Sequence, residues 1–473
     1  MKKSKPLVEA LEYFIKNEPV SLHVPGHKNG LISGLPQNIR QALAYDVTEL
    51  TGLDDYHHPE EAIADAEKLL AEAYNSDRSF FLVNGSTVGN LAMIYAVCSA
   101  GDTIIVQRNA HKSVFHAMEL VGANAVFVAP EWDERTSTPG SVATSTLVEA
   151  LERFPEAKAV VLTYPTYYGV TSKQLEEQII YCHQKRIPVL IDEAHGAHFA
   201  ASNNLPKSAL ELGADIVVQS AHKTLPAMTM ASFLHVKSDI ISAEKINEYL
   251  RMLQSSSPSY LMMASLDDAR HYVANYMESD YHLLVEKRTS FIGALKRIPS
   301  LQIVEADDPL KLLLRAIHYS GYELKEALEQ EGVFVELADT EQVLLVLPLL
   351  KQGFVYPFTN ITIKIKEALK KLASLPKTKV KQTSIQLDLE KVTMLELPIK
   401  NVQAAEKEWI SYTKAIGRIA AEMIIPYPPG IPLFLKGEKI TVAKLAYLAE
   451  LQSFGADFQG NHQLSENRIC VIK

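Results

Sequence analysis

"ADIVVQSAHKTLPAMT", Ala214–Thr229, is the stretch on which the reading of the fold turns. Its first half, "ADIVVQS" (214–220), is an apolar run of strand length, and its second half is a proline-containing loop. At the junction Lys223 follows Ser220 and His222. A lysine at the end of a buried strand is costly as a charged group, because desolvation disfavours the ammonium form. Either the side chain reaches solvent, or its amine is meant to be neutral and nucleophilic. The flanking segments bear on that choice.

Outward from this run the chain alternates between strand and helix. "FFLV" (80–83), "TIIVQ" (103–107), "NAVFVAP" (124–130), "KAVVLTYP" (158–165), "IPVLIDEAH" (187–195) and "ASFLHV" (231–236) read as strands. "TVGNLAMIYAVCSA" (87–100), "KSVFHAMELVG" (112–122) and residues 173–186 read as helices. Near-continuous apolar strands alternating with helices predict an α/β fold with a large, mostly parallel sheet covered on both faces. Ligands of such sheets bind at the carboxyl ends of the strands. The polar residues Asn84–Thr87, Asn109–His111, Asp192–His195 and Ser220–Lys223 all collect there.

Those clusters carry a chemistry. Gly85–Ser86–Thr87 ends a strand and opens a helix, which offers backbone N–H groups and two hydroxyls to a phosphate, or simply caps the helix. Asp192 ends a very apolar strand and needs a partner, either a protonated ring nitrogen or a cap or salt bridge. His111 presents a flat ring for stacking or is a satisfied core histidine. Lys223 in a water-poor pocket has a lowered pKa and can condense with an aldehyde. A phosphate cradle, an acid for a pyridinium, a stacking ring and a condensing lysine together describe pyridoxal 5'-phosphate. The dinucleotide and Walker glycine patterns are absent from these turns. The histidine pairs His23/His27, His57/His58 and His195/His198 suit a metal poorly, since Pro25–Gly26 and Pro59 interrupt them, so no metal is expected.

The rest of the composition narrows the class. With 56 acidic against 47 basic residues the net charge is −9, which argues against nucleic acid and fits a cationic substrate, though solubility alone explains it. Cys98, Cys182 and Cys470 form no CxxC pair, as in a reducing compartment. No run approaches the roughly 18 apolar residues of a membrane span, and no signal core follows the basic start, so no membrane and a cytoplasmic location are expected.

The chain resembles the Orn/Lys/Arg decarboxylase family of pyridoxal-phosphate enzymes, of the aspartate-aminotransferase fold type. The likeness rests on "SLHVPGHKNG" (21–30), "DVTELTGLDDYHHPE" (46–60), "NGSTVGN" (84–90), "RNAHKS" (108–113), "DEAHGAH" (192–198), "SAHKTLPAMT" (220–229), "SSSPSYLMMASLD" (255–267) and "PYPPGIP" (426–432). It implies fold type I, with a large cofactor domain and smaller C-terminal α+β domains. The expected limits are an N-terminal arm (1–20), a large domain (21–290), a small α+β domain (291–380) and a C-terminal domain (381–473). "LPKTKVKQTS" (375–384) is read as a linker or exposed loop, and the Pro/Gly density of 426–432 as incompatible with regular structure.

The resemblance also assigns roles. Lys223 would hold the cofactor, Asp192 would pair with its pyridine nitrogen and His111 would stack on the ring. Ser86, Thr87, Ser220 and His222 would surround the phosphate, and His195 would lie near the phenolic oxygen. Ser255 and Ser256 would reach the phosphate of a partner subunit. Lys223 and His222 would serve as base and acid.

The expected reaction is decarboxylation of arginine, lysine or ornithine to the corresponding amine and CO2. The alternatives are an aminotransferase with Arg315 or Arg418 as carboxylate clamp, a carbon–carbon lyase, or a silent regulatory relative. "HVPGHK" begins about twenty residues in, which leaves no room for the response-regulator-like domain of larger members and favours a homodimer or small homo-oligomer with shared sites. Two departures stand out: His58–Pro–Glu–Glu61 in place of HPEG, and Lys436–Gly–Glu438 in place of PGE. Glu49, Asp54 and Asp55 are candidates to read a distal cation, or are plain surface charges.

Overall fold

The apolar runs around Lys223 form strands with both faces covered. In the computed structural model, which describes residues 4–377, 390–427 and 430–473, every residue of Val189–Asp192, Ile216–Gln219 and Ser232–Val236 is buried. The chain divides into two compact units. One holds the residues up to Val97 together with Cys182–Glu278; the other holds Cys98–Tyr181 and the described residues from Ser279 onward.

In the first unit the strand order is Arg78–Leu82, Ser232–Val236, Ile216–Gln219, Val189–Asp192. Asp192 pairs in parallel with Val218. Ser232–Val236 runs antiparallel to both neighbours, with Phe81 opposite Phe233 and Val218 opposite Leu234. Arg78–Leu82 is an edge strand, and side chains occupy its outer backbone groups. Glu67 Oε1 accepts from the Phe81 N–H at 2.9 Å, Tyr56 O–H donates to the Phe81 carbonyl at 2.6 Å, and Gln254 Oε1 accepts from the Val83 N–H at 2.9 Å.

The strand then turns at once into the helix Gly85–Val97, two residues earlier than the sequence predicts, because Gly85 adopts φ +76° and closes the turn. Gly89, one turn further on, explains how closely this helix lies on the sheet. A Cβ there would stand 2.7 Å from Val218 Cγ1 and 2.8 Å from Leu82 Cδ1. The helix Pro6–Lys16 buries Leu7 and Leu11 and starts on a proline, which lacks only an N–H that a first turn leaves unbonded. The fully buried pair Arg270–Asp267 holds its entry, with Asp267 Oδ2 taking the Leu7 N–H at 3.0 Å.

In the second unit Thr103–Gln107 lies between Asn124–Val128 and Val160–Thr163, parallel to both. The run expected to be one strand over 124–130 ends at Val128. Pro130–Asp133 opens a separate hairpin with Thr138–Val142, since the proline cannot donate to the ladder. A second sheet, in the order Leu301–Glu305, Lys311–Ala316, Val343–Val346, Leu337–Ala338, is antiparallel throughout. It shares a core with the helices Gly321–Gln330 and Phe358–Leu372 through Leu312, Leu324, Leu328, Ile365 and Leu369. A further cluster gathers Ile424, Phe434, Leu448, Ile469 and Val471.

Residues 378–384 of the expected linker, the boundary at 380/381, the basic Met1–Lys3 and Pro428–Pro429 lie outside the described residues. Of the proline-rich turn, Pro426 ends a two-residue strand, Ile425–Pro426, opposite Phe458. Regular structure therefore reaches one residue further than expected, as a proline at a strand end allows. Among the described residues no helix is long and apolar enough to cross a membrane.

Candidate active site

Three strands of the first unit, two of them adjacent and the third one strand away, each lead to a polar group. Ile216–Gln219 leads into the one-turn helix Ala221–Thr224, which carries His222 and Lys223 and has the fully buried Ser220 at its N-cap. Val189–Asp192 ends on a carboxylate and continues to His195. Arg78–Leu82 leads through Asn84 to Ser86 and Thr87 on the first turn of Gly85–Val97.

The contacts tie these groups together. Lys223 Nζ lies 2.9 Å from His195 Nε2, a side chain 5 % exposed. Ser220 Oγ donates to Ser86 Oγ at 2.8 Å. Asp192 Oδ2 accepts from Asn90 Nδ2 at 3.0 Å, and its Oδ1 accepts from the Ala194 N–H at 3.2 Å. Burial pushes the Asp192 carboxyl above the usual range; the Lys223 charge, the Asn90 bond and the Ala194 N–H pull the other way without cancelling it. His222 Nδ1 and the Ala231 carbonyl are 3.1 Å apart. Since the carbonyl can only accept, Nδ1 is the donor, and Nε2 is the acceptor whenever the ring is neutral.

These residues fit pyridoxal phosphate on their own chemistry. A carboxylate that dry is stabilised as an anion by positive charge, which a protonated pyridine nitrogen brings. The first turn of Gly85–Val97 contains no acidic residue to oppose a phosphate dianion, and its N–H groups and the serine hydroxyls are donors. Thr87 is exposed and Ser86 half-buried, at the rim of the same turn.

Ser255 and Ser256 are exposed in the loop between the helices Ala243–Leu253 and Tyr260–Ala274. Ser255 N–H donates to Asn84 Oδ1 at 3.3 Å, and the Ser255 carbonyl accepts from His57 Nε2 at 2.8 Å, which fixes this loop two residues from Ser86. His111 belongs to the second unit, at the N-cap of the helix Lys112–Val121.

Sequence reasoning missed Asn90, which directs Asp192. Its position four residues after Ser86, on the same face of a helix, is a signal that could have found it. It also missed Glu193, which accepts from Gln219 Nε2 at 2.6 Å, the Ala209 N–H at 2.8 Å and Ser208 Oγ at 3.0 Å, and which burial pushes up to about 8.

The acidic candidates separate. Asp54 accepts the N–H groups of Asp55, Glu60, Glu61 and Ile63 at 2.8–2.9 Å and so caps the approach to the helix Ala62–Tyr74. Asp55 Oδ1 takes the His57 N–H at 2.8 Å. Both serve their own loop. Glu49 accepts from the Thr48 hydroxyl, and its Oε1 is buried without a hydrogen-bond partner among the described residues. Neither clamp candidate is open: Arg315 donates to Gln342 Oε1 at 2.9 Å and Ser137 Oγ at 3.1 Å, and Arg418 to Glu408 Oε1 at 2.9 Å and the Ile472 carbonyl at 2.6 Å. No group of three or more metal-binding side chains occurs among the described residues.

Comparison with known proteins adds independent findings. The family model for the Orn/Lys/Arg decarboxylase major domain matches residues 5–312, and that for the family's C-terminal domain matches residues 379–464. An uncharacterized Bacillus subtilis protein, YaaO, is 46% identical over 98% of this chain and 98% of its own length. An arginine decarboxylase of Bacillus anthracis is 33% identical over 99% of this chain and 97% of its own. The solved structure of a Francisella novicida lysine decarboxylase, LdcF, covers 100% of this chain with 81% of its own, at a TM-score of 0.81 and 20% identity, which shows a common fold.

Proposed function

Because this chain belongs to the Orn/Lys/Arg decarboxylase family of pyridoxal-phosphate-dependent carboxy-lyases, we propose that its substrate is arginine, converted to agmatine and CO2. The observation that carries the choice is the 33% identity, over nearly the whole of both chains, to a relative named arginine decarboxylase, against 25% to a relative named lysine decarboxylase, LdcA of Pseudomonas aeruginosa.

Pyridoxal phosphate supplies the electron sink for the pair left by the departing carboxylate. The chain's own residues do the rest. Lys223 would hold the cofactor through its aldehyde carbon, the place where the substrate amine must also bind. Asp192, oriented by Asn90, keeps a proton on the pyridine nitrogen by preorganised electrostatics. Ser86, Thr87 and Ser220 offer hydroxyls to the phosphate. His195 holds Lys223 Nζ, and Lys223 or His222 returns a proton to the substrate's Cα. His111 keeps the stacking role that the resemblance assigns it. We also infer a homodimer or small homo-oligomer, supported by Val20, Leu22, Leu31 and Ile32, each 73–92% exposed.

The test is to incubate the purified protein and pyridoxal phosphate separately with arginine, lysine and ornithine, with a Lys223→Ala control. Agmatine formed by the wild type alone supports the proposal. Cadaverine or putrescine instead would overturn the substrate, and no amine from a cofactor-loaded protein would overturn basic-amino-acid decarboxylation.

A further inference from the structure

The turn from Gly430 to Leu433 has no part in the reading above, yet Gly430 is built against His111. Gly430 has φ +84°, and a Cβ there would stand 3.1 Å from His111 Nε2 and 3.2 Å from its Cδ2. Bare backbone therefore lies against one edge of the imidazole, and any other residue would press on it. On the opposite edge the Ser113 N–H donates to Nδ1 at 3.3 Å, and Ser113 Oγ is 2.8 Å from the same nitrogen. Nδ1 is thus the acceptor, and in the neutral ring Nε2, facing Gly430, carries the proton. The ring is held between two backbone segments.

The turn itself is fastened on both sides of His111. The Lys112 N–H donates to the Gly430 carbonyl at 3.0 Å. Arg108, three residues before His111 and 7 % exposed, donates to the carbonyls of Pro432 at 2.9 Å and Leu433 at 3.1 Å and pairs with Glu438 Oε2 at 2.9 Å. Glu438 also accepts the Leu435 N–H at 3.0 Å and pairs with Lys444. Burial alone would raise the Glu438 carboxyl; Arg108 and Lys444 outweigh it and hold it below the usual range. Glu438 belongs to Lys436–Gly–Glu438, the stretch whose glutamate sits beyond the altered loop noted in the sequence.

We propose that the C-terminal family domain positions the His111 ring, with Gly430 as the contact and the Arg108–Glu438 pair as the fastening. The proposal rests on the stacking role assigned to His111. Gly430, Arg108 and Glu438 are positioning residues, since they act through that ring.

The experiment measures the dissociation constant for pyridoxal phosphate and the absorbance spectrum of the bound cofactor, with the thermal midpoint as a check on folding. Gly430→Ala and Glu438→Ala are each made alone and on a His111→Ala background. Each is expected to shift the spectrum and weaken cofactor binding by about three- to tenfold, the worth of one well-placed ring contact. Neither is expected to add anything once His111 is gone. If Gly430→Ala does not fold, Glu438→Ala, which loosens the turn without adding an atom, carries the same comparison. Unchanged binding and spectrum in the folded variants, or equal losses with and without His111, would overturn the proposal. If His111→Ala itself leaves both unchanged, the stacking assignment falls and the proposal with it.

Discussion

Lys223 Nζ, on the one-turn helix that follows one strand, and His195 Nε2, on the turn that follows the adjacent strand, are 2.9 Å apart. Two nitrogens at that distance share a hydrogen bond only if one offers a lone pair, so lysine and histidine are not both fully protonated. Lys223→Ala is expected to lower kcat by about 10²–10⁴, the range for loss of a positioned acid–base group. His195→Asn should show a smaller loss and a displaced pH optimum. A pH–rate profile of each variant against the wild type checks this; an unmoved profile for His195→Asn would count against the pairing.

Gly89 sets the distance between the helix Gly85–Val97 and the sheet. Gly89→Ala gains about 1 kcal/mol in helix propensity. It forces a methyl to within 2.8 Å of Val218 and Leu82, overpacking that costs about 1–3 kcal/mol. The steric effect wins: the thermal midpoint is expected to fall by several degrees and pyridoxal phosphate to bind more weakly, as calorimetry and cofactor titration would show.

Two buried glutamates make stability depend on pH. Burial pushes Glu67 and Glu193 each up to about 8. A carboxyl raised in the folded state contributes stability that is fully present below its ordinary range and is lost as pH rises through about 8. The thermal midpoint should therefore decline from pH 5 to pH 9, and Glu67→Gln and Glu193→Gln should each flatten that slope. Melting curves across the range provide the test.

The three acidic candidates are expected to behave differently. Asp54→Ala removes a cap for several N–H groups and should cost about 1–2 kcal/mol of stability with KM unchanged. Glu49→Gln should leave the thermal midpoint nearly unaltered and raise KM for the basic amino acid several-fold, because Glu49 keeps a buried oxygen with no hydrogen-bond partner among the described residues. Steady-state kinetics beside melting curves would separate the two; a raised KM for Asp54→Ala would return it to the substrate pocket.

Much of this was legible in the sequence, and the reason is local. The apolar run "TIIVQ" matches its strand residue for residue, and the other runs each contain most of theirs but miss one or both ends by one to three residues. The apolar stretch of a strand covered on both faces is plain, while the flanking polar residues blur its limits. Ser86, Asp192, Ser220 and Lys223 could be named because each ends such a run. What escaped was set by distant parts of the chain. Asn90 looks like any polar helix residue until Asp192 is placed beside it, and Asp54 looks like a surface charge until the turn of residues 55–63 folds around it. The hairpin starting at Pro130 escaped because its alternation is too short to stand out against the strand before it.

The edge strand Arg78–Leu82 has a consequence beyond the site. A bare sheet edge is a template on which another chain can build. Here Glu67 and Tyr56 occupy the Phe81 amide and carbonyl, and Gln254 takes the next amide along. The strand that leads to the serine hydroxyls is thereby closed to recruitment, so this margin of the sheet is guarded by the same bonds that hold the turn to Ser86 in register.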